Sequence, residues 1–367
     1  MNDLSILMDG NVARDGHKFA NAQWGYIQRK QDTAWGKFVD KHIDDGAVVL
    51  KRSRVTISAF PAEAEEFAPY YSGKNHRSPR LEFDDSYVPV ITMGRYGTIL
   101  KKARPSDDAF VAMFNSAEKI IRCALQDIGP VCIPTTKLTI PGMTWPEPYM
   151  KALANVMYTK GVDVELVLCH PASIPNNLPL TEACYGNGWE CVDVAAEIIK
   201  YIQDQFPDAT DERLRVIVQD NLRVCFLRSP EGGFNYADGG TLALHSKHFI
   251  IDDVCTYIGS QNLYTCDLAE WGVLIDSEEA VQDIKAQYWD PMWNTSFTGE
   301  DCDVDKVMDG LGIDRTAVSV ADMTEDELEQ AKEALTLNSE LRWDGDDDDS
   351  SVSDAEDEND DDDVAEC

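Results

Sequence analysis

Basic residues are scarce in this chain of 367 residues, which has 32 lysines and arginines against 67 aspartates and glutamates. The formal net charge is −35. Fourteen of the acidic residues lie in the segment 344–367, which has no basic residue, so the rest of the chain still carries −21. Nucleic-acid affinity comes largely from lysine and arginine that neutralise backbone phosphates. The acidic body therefore argues against nucleic acid as a partner or substrate.

Long apolar runs are missing too, since no stretch approaches the roughly 18 apolar residues of a membrane span. The first residues, MNDLSILMDGNVARDG, have neither the basic leader nor the apolar core of a secretory signal. The ten cysteines form no CxxC or Cys/His metal spacing, which suits a reducing compartment. The sequence as written predicts a cytoplasmic protein, although an intact parent could be secreted.

Helical and strand patterns alternate from residue 108 onward. The helical pattern PEPYMKALANVMYTKG leads into the apolar run VDVELVLC, and VDVAAEIIKYIQDQF is later followed by LRVCFLR. A helix followed at once by an apolar strand is typical of α/β crossovers, in which helices cover both faces of a sheet. The sequence therefore predicts an α/β fold with a mostly parallel, mixed sheet flanked by helices.

The chain before residue 108 is less regular. Its start predicts a strand from Leu4 to Met8 and an amphipathic helix that ends near Trp24. Prolines then interrupt every pattern, which predicts a connecting region with short strands such as Tyr87 to Met93. The predicted organisation is 1–107 as an N-terminal and connecting region, 108–300 as the catalytic unit, 301–343 as a helical extension and 344–367 as an acidic disordered tail.

The segment 245–262, HSKHFIIDDVCTYIGSQN, holds the most informative spacing. On a strand, His245 and Lys247 point to the same face because side chains alternate with a period of two. A tight turn near Asp253 would bring the next strand back beside them. Ser260 and Asn262, again two residues apart, would then converge on the same pocket.

These residue types suit the chemistry of a phosphodiester. Imidazole is a nucleophile toward phosphorus and a proton donor near neutral pH, while ammonium, hydroxyl and amide groups donate hydrogen bonds to phosphate oxygens. Such a set needs no metal or other cofactor. Asp252 is interpreted as a structural cap on the strand turn, and His248 is expected to face away from His245.

The pattern HxKx4D followed by GSxN resembles the HKD signature of the phospholipase D superfamily. The similarity extends over 108–295, where TYIGSQNLYTCDLAEWGVLID resembles the C-terminal half of secreted bacterial phospholipases D. The start of the chain, with Asp3 and Gly10, resembles the strand and helix that follow the first HKD motif of two-motif enzymes. The resemblance thus implies a phospholipase D-like sandwich that retains a remnant of a first repeat and lacks the first motif.

In that family two HKD motifs meet. One histidine attacks phosphorus to form a phosphohistidine, and the other protonates the leaving alcohol and then activates water. By family order His245 resembles the general acid and base. The resemblance also implies that Asp252 belongs to the signature, that Asp3 supports His245, and that Glu270 supports the histidine of the other motif; a carboxylate fixes an imidazole's tautomer.

The leading hypothesis is a phospholipase D-like phosphodiesterase that meets a membrane surface transiently and releases the head groups of glycerophospholipids. The second HKD motif would come from a homodimer, from a separate chain or from upstream residues, and the last source is favoured because the first repeat is incomplete. Two alternatives stay open. One is a catalytically inactive module that binds phosphate or lipid, and the other is a nuclease of the same superfamily.

Overall fold

The computed structural model describes residues 3–8, 12–20, 88–96, 105–133, 137–139, 143–171, 173, 188–237, 239–240, 242–264, 269–312 and 324–325. The strands in these ranges are β1 (Val90–Tyr96), β2 (Ile120–Leu125), β3 (Cys132–Ile133), β4 (Leu138–Thr139), β5 (Asp163–Leu168), β6 (Leu222–Phe226), β7 (Lys247–Ile251), β8 (Cys255–Gly259) and β9 (Ala269–Asp276). The helices there are α1 (12–20), α2 (Pro105–Ser116), α3 (Glu147–Lys160), α4 (Cys191–Gln205), α5 (Asp211–Asp220), α6 (Glu278–Ile284), α7 (Asp290–Ser296) and α8 (Val304–Gly310), with a π-helical turn, Lys285–Trp289, between α6 and α7. None of these described helices has the length and apolar character needed to cross a bilayer.

Seven of the strands form one sheet in the order β1–β9–β8–β7–β2–β5–β6. The pairs β2–β5 and β5–β6 are parallel, and the other four pairs are antiparallel. The predicted α/β fold with a mixed, helix-flanked sheet is confirmed. The sheet was predicted to be mostly parallel, but most of its strand pairs are antiparallel. The strands β7, β8 and β9 follow one another too closely for the long crossover that a parallel pair requires.

The turn between β7 and β8 shows how local chemistry sets this arrangement. Asp252 and Asp253 have positive φ values of 53° and 61°, and the Val254 N–H donates to the Ile251 carbonyl at 3.1 Å. Two successive residues at positive φ match the turns whose twist suits a β-hairpin, and aspartate tolerates this conformation better than most residues. The tight connection predicted near Asp253 is confirmed.

The strand β7 separates two layers of the core. Phe249 and Ile251 pack into the larger apolar cluster, together with α2, α3 and α4. Ile250, between them, packs on the opposite face with Trp289 and Met292. All five β7 residues are buried, as expected of a central strand covered by helices on both faces.

The described N-terminal residues pack on the β8–β9 side of the sheet. Leu4, Ile6 and Met8 are half-buried against a small apolar cluster that includes Val12 and Val273. Exposure alternates along 3–8 as the pattern predicted, but these residues form no strand, because no strand in the described ranges pairs with them. The predicted helix is confirmed over 12–20, and its continuation lies outside the described residues.

The predicted connecting region contributes to the sheet. The strand expected at Tyr87 to Met93 corresponds to β1, which pairs with β9 along its whole length. At the other end, α8 packs on the core through the buried Val307. Apart from residues 324–325, the part of the predicted helical extension that follows residue 312 and the acidic tail lie outside the described residues. The boundaries at 107, 300 and 343 stay predictions.

Candidate active site

The start of β7 lies at the edge of the sheet where the parallel strands end. Leu125, the last residue of β2, pairs with Lys247, the first residue of β7. Leu168 and Phe226, which end β5 and β6, continue the same row across the sheet. In α/β sheets, ligands bind beyond the carboxyl ends of the strands. His245 and Lys247 are therefore placed where a substrate has access.

His245 remains open to solvent, with 37% of its side chain exposed. Its Nδ1 atom lies 3.1 Å from Oδ2 of Asp3, while the other carboxylate oxygen of Asp3 accepts the Leu4 N–H at 2.9 Å. A carboxylate at Nδ1 favours the proton there and leaves Nε2 to face a substrate. The contact between Asp3 and His245 that the resemblance implied is present, across 242 positions of sequence.

Lys247 is almost fully buried, with 6% of its surface exposed. Its ammonium group donates to the His245 carbonyl oxygen at 2.6 Å. Burial lowers the pKa of Lys247 from its ordinary 10.5 to about 8, although the carboxylates of Asp3, Glu270 and Asp127 oppose the shift. A buried ammonium group is costly unless it meets a negative partner. The position of Lys247 thus favours an anionic ligand.

Asp127 is a buried carboxylate near the site that sequence reasoning missed. The Gln126 N–H donates to the Ser246 carbonyl at 3.1 Å, which continues the β2–β7 pairing by one residue and places Asp127 opposite His245. Its charge acts on Lys247. The sequence does contain one indication of its role, because Asp127 follows an apolar strand by two positions and so lies at the edge of the sheet where ligands bind.

The residues between the motif positions face the other way, as the alternation predicted. Ser246 is hydrogen-bonded to the Tyr288 hydroxyl. His248 is fully buried, with Nδ1 at 3.0 Å from the Tyr257 carbonyl oxygen and its ring packed edge-on to Tyr288 at 5.5 Å. Burial lowers the pKa of His248 to about 4. This neutral histidine therefore packs on the face of β7 opposite His245 and Lys247.

Asn262 and Ser260 differ in their availability. Asn262 is buried, and its amide nitrogen donates to the Tyr264 hydroxyl at 2.9 Å. Its Oδ1 atom has no hydrogen-bond partner within the described residues. Ser260 is exposed, but its hydroxyl donates to the Trp271 carbonyl at 3.2 Å and accepts from the Trp271 N–H at 3.0 Å. The hydroxyl expected to bind phosphate is thus engaged with β9.

Glu270 is buried in β9 and forms an ion pair with Arg95 of the adjacent strand β1. Its other carboxylate oxygen accepts the backbone N–H of Asn262 at 3.2 Å. Burial raises the pKa of Glu270, and the positive charges of Arg95 and Lys247 oppose that rise. Glu270 therefore lies beside the asparagine of the motif and close enough to Lys247 for their charges to interact.

Asp252 lies at the opposite end of β7 from the histidine. Five residues of extended chain place it roughly 16 Å from Lys247. Its carboxylate accepts the backbone N–H groups of Glu118, Lys119 and Ile120, each at 2.8 Å. The geometry matches the interpretation of Asp252 as a structural cap, since its carboxylate joins the β7–β8 turn to the start of β2.

The substitution Asp252→Asn is expected to lower the free energy of unfolding by about 2 kcal/mol, because charge-assisted hydrogen bonds to three N–H groups are weakened. Urea denaturation of the full chain measures the change. The matched control is Asp283→Asn on an exposed face of α6, which should leave the midpoint unchanged. Equal free energies of unfolding for the two variants would show that the hydrogen bonds of Asp252 do not stabilise the fold.

Comparison with known proteins gives a curated relative and several solved structures, while no family model matches. Over 194 residues, the chain is 28% identical to a phospholipase D from Streptomyces antibioticus; this span is 52% of the chain and 32% of that relative, so the chain spans about a third of the relative's length. A phospholipase D family member, Nuc, from Salmonella typhimurium matches 56% of the chain and 97% of its own length, at 15% identity and a TM-score of 0.32. The phosphatidylserine synthase of Haemophilus influenzae matches 69% of the chain and 46% of its own length, at 14% identity and a TM-score of 0.36. The sequence similarity to the Streptomyces enzyme agrees with the resemblance of the HxKx4D and GSxN residues to the phospholipase D superfamily.

Proposed function

We propose that the chain is a phospholipase D-like phosphodiesterase that cleaves the head groups of glycerophospholipids through a phosphohistidine. One observation carries the proposal: His245 and the buried Lys247 share the open edge of the sheet, with Asp3 on the imidazole. An oriented imidazole can give and take a proton. A buried ammonium group beside it can bind a phosphate oxygen.

In the proposed reaction a histidine of a second HKD motif attacks phosphorus. As the nitrogen–phosphorus bond forms, the bond from phosphorus to the head-group oxygen breaks, and His245 gives its proton to that oxygen. His245 then takes a proton from water, which attacks phosphorus and releases the first histidine and phosphatidic acid. The second motif is supplied by a homodimer, a separate chain or residues preceding Met1. Lys247 and the second N–H of the Asn262 side-chain amide, whose first N–H donates to Tyr264, donate to the phosphate oxygens.

A second candidate, a phosphate- or lipid-binding module without activity, is favoured by the presence of a single HxKx4D pattern in the 367 residues. To separate the two, the purified chain is incubated with phosphatidylcholine, phosphatidylethanolamine or phosphatidylserine vesicles, and release of the head group is measured beside His245→Ala. Monomer and dimer fractions are tested separately. Release that His245→Ala abolishes supports the phosphodiesterase. Vesicle binding without release in any fraction supports the module, and cleavage of single-stranded DNA at physiological salt supports a nuclease.

The substitution Asp3→Asn is expected to lower the turnover rate of head-group release by roughly 10- to 100-fold. The neutral amide of asparagine cannot stabilise the imidazolium. The loss is limited because the amide oxygen can still accept the Nδ1 proton and because water reaches both side chains, with 44% exposure for Asp3. Initial rates on phosphatidylcholine vesicles measure the effect. The control Asp15→Asn, on α1, should retain the wild-type rate. An unchanged rate for Asp3→Asn would remove this carboxylate from the mechanism.

A further inference from the structure

A buried polar cluster lies behind the turn that follows β8, residues 260–262, which carries Ser260 and Asn262. Its members come from β1, α2, α3, β9 and the turn itself, and each is at most 4% exposed. They are Arg95, Ser106, Asp107, Tyr149, Gln261 and Glu270. Residues this polar are seldom buried together without a strong reason, because each must replace the hydrogen bonds it made with water.

Arg95 is the centre of the cluster. It lies opposite Glu270 in the β1–β9 pairing, and its guanidinium binds the Glu270 carboxylate. The same guanidinium donates to Oδ1 of Asp107, in the first turn of α2, at 3.1 Å. One cation is therefore shared between two buried carboxylates, and Glu270 is held by a group that α2 fixes in turn.

Gln261 connects this cluster to the motif. Its side-chain nitrogen donates to Oδ1 of Asp107 at 2.9 Å, and its side-chain oxygen accepts the Ser106 hydroxyl. Its backbone N–H donates to the Tyr257 hydroxyl at 3.3 Å. The next N–H, that of Asn262, donates to Glu270 at 3.2 Å. Two consecutive residues of the turn are thus fixed from behind.

Stability alone is a poor reason for this arrangement. Desolvating buried charges offsets most of their mutual attraction, and well-packed apolar residues often stabilise a core as much or more. Moreover, Oδ2 of Asp107 has no hydrogen-bond partner among the described residues. What the cluster does supply is orientation, since it places a carboxylate and an asparagine beside the edge of the sheet that holds Lys247.

We propose that Arg95, Asp107 and Gln261 are positioning residues of the phosphodiester site, an inference that rests on the proposed function. Arg95 binds the Glu270 carboxylate and holds it beside the Asn262 backbone N–H. Asp107, through Gln261, fixes the turn so that the Asn262 amide meets a phosphate oxygen. The side chains of these three residues do not contact the substrate; they act through Glu270 and Asn262.

The charged and titratable groups facing Glu270 define a test. Arg95 approaches from β1, Lys247 from β7 and Tyr257 from β8, with Asp107 behind Arg95. Of these, Arg95 opposes the burial of Glu270 most strongly. Replacing Arg95 with glutamine should therefore raise the titration midpoint of Glu270 and release the Asn262 N–H from its acceptor.

The experiment uses the full chain labelled with ¹³C-glutamate, in which the Glu270 carboxyl signal is assigned from its loss in Glu270→Gln. Arg95→Gln is expected to increase the proton affinity of Glu270 at least about tenfold. Binding of dimethyl phosphate, a soluble diester, should weaken about tenfold in Arg95→Gln and about fivefold in Asp107→Asn. Arg95→Lys should recover part of both effects. The control Asp108→Asn, an exposed neighbour in the same helical turn, should alter neither.

The variant Gln261→Met provides a second route if Arg95→Gln does not fold. It removes the amide that binds Asp107 and Ser106, leaves both ion pairs of Arg95 in place, and should weaken diester binding about fivefold. Unchanged diester binding in Gln261→Met, or an unchanged Glu270 midpoint in folded Arg95→Gln, overturns the inference even if the wild-type chain cleaves lipid. These readouts need no turnover. The expected shifts in a chain that cleaves no lipid would sustain the positioning role and contradict the proposed activity alone.

Discussion

Replacing His245 with asparagine is expected to lower the rate of head-group release about 10²- to 10⁴-fold, the usual contribution of a general acid and base. Asparagine keeps a polar side chain beside Asp3 but can neither give nor accept the proton. His245 is partly exposed and packs into neither core cluster that flanks β7, so the fold should be retained. Initial rates of choline release from phosphatidylcholine vesicles measure the loss.

The leaving group distinguishes a general acid from a nucleophile. The leaving group p-nitrophenolate needs no proton from a general acid. If His245 is the acid, His245→Asn should therefore still release a first burst of p-nitrophenol as the phosphohistidine forms. If the residue were the attacking nucleophile, the burst would disappear with either leaving group. The control His17→Asn, on α1, should retain wild-type rates. A folded His245→Asn protein with wild-type choline release would end the proposed mechanism.

Replacing Lys247 with methionine is expected to have opposite effects on activity and stability. Activity should fall about 10²- to 10³-fold, because the side chain can no longer stabilise negative charge on the phosphate. The free energy of unfolding at pH 7 should rise by about 1 to 2 kcal/mol, because an apolar chain of similar length replaces a desolvated ammonium group. Vesicle assays and urea denaturation measure the two effects. A lysine retained only for structure would give a loss of stability instead.

The pH dependence supplies an independent check on Lys247. Its pKa in the folded protein is about 8, below the ordinary 10.5. Below pH 8 the group is protonated in both states, and the full cost of burial is present. Between pH 8 and 10.5 the unfolded chain binds the proton more often, so the wild type gains stability as pH rises. The advantage of Lys247→Met should therefore shrink from pH 7 to pH 10, whereas Lys119→Met, at an exposed lysine, should show no such trend.

The sequence was informative wherever a property depends on a few consecutive residues. Period-two alternation predicted correctly that His245 and Lys247 would be separated from His248, because strand geometry is local. Two aspartates at positive φ made the predicted tight turn. These features needed no knowledge of distant segments.

The rest depends on segments far apart in the chain. The pair Arg95–Glu270 spans 175 positions, and Gln261–Asp107 spans 154, so no local pattern could reveal either contact. Ser260 was expected to face phosphate, but the backbone of β9 takes its hydroxyl. The contact between Asp3 and His245, which spans 242 positions, was expected only because the start of the chain resembles a known family.

The hydrogen bond from the Lys247 ammonium to the carbonyl of His245 makes the spacing of the two groups a property of three consecutive residues. An insertion in a distant loop leaves that short segment untouched. Sequence changes in distant loops are therefore expected to leave the distance between the imidazole and the ammonium group unchanged. Transplanting residues 245–247 so that the lysine begins another buried strand should carry this spacing with it, whereas the carboxylate partner of the imidazole would have to be built anew.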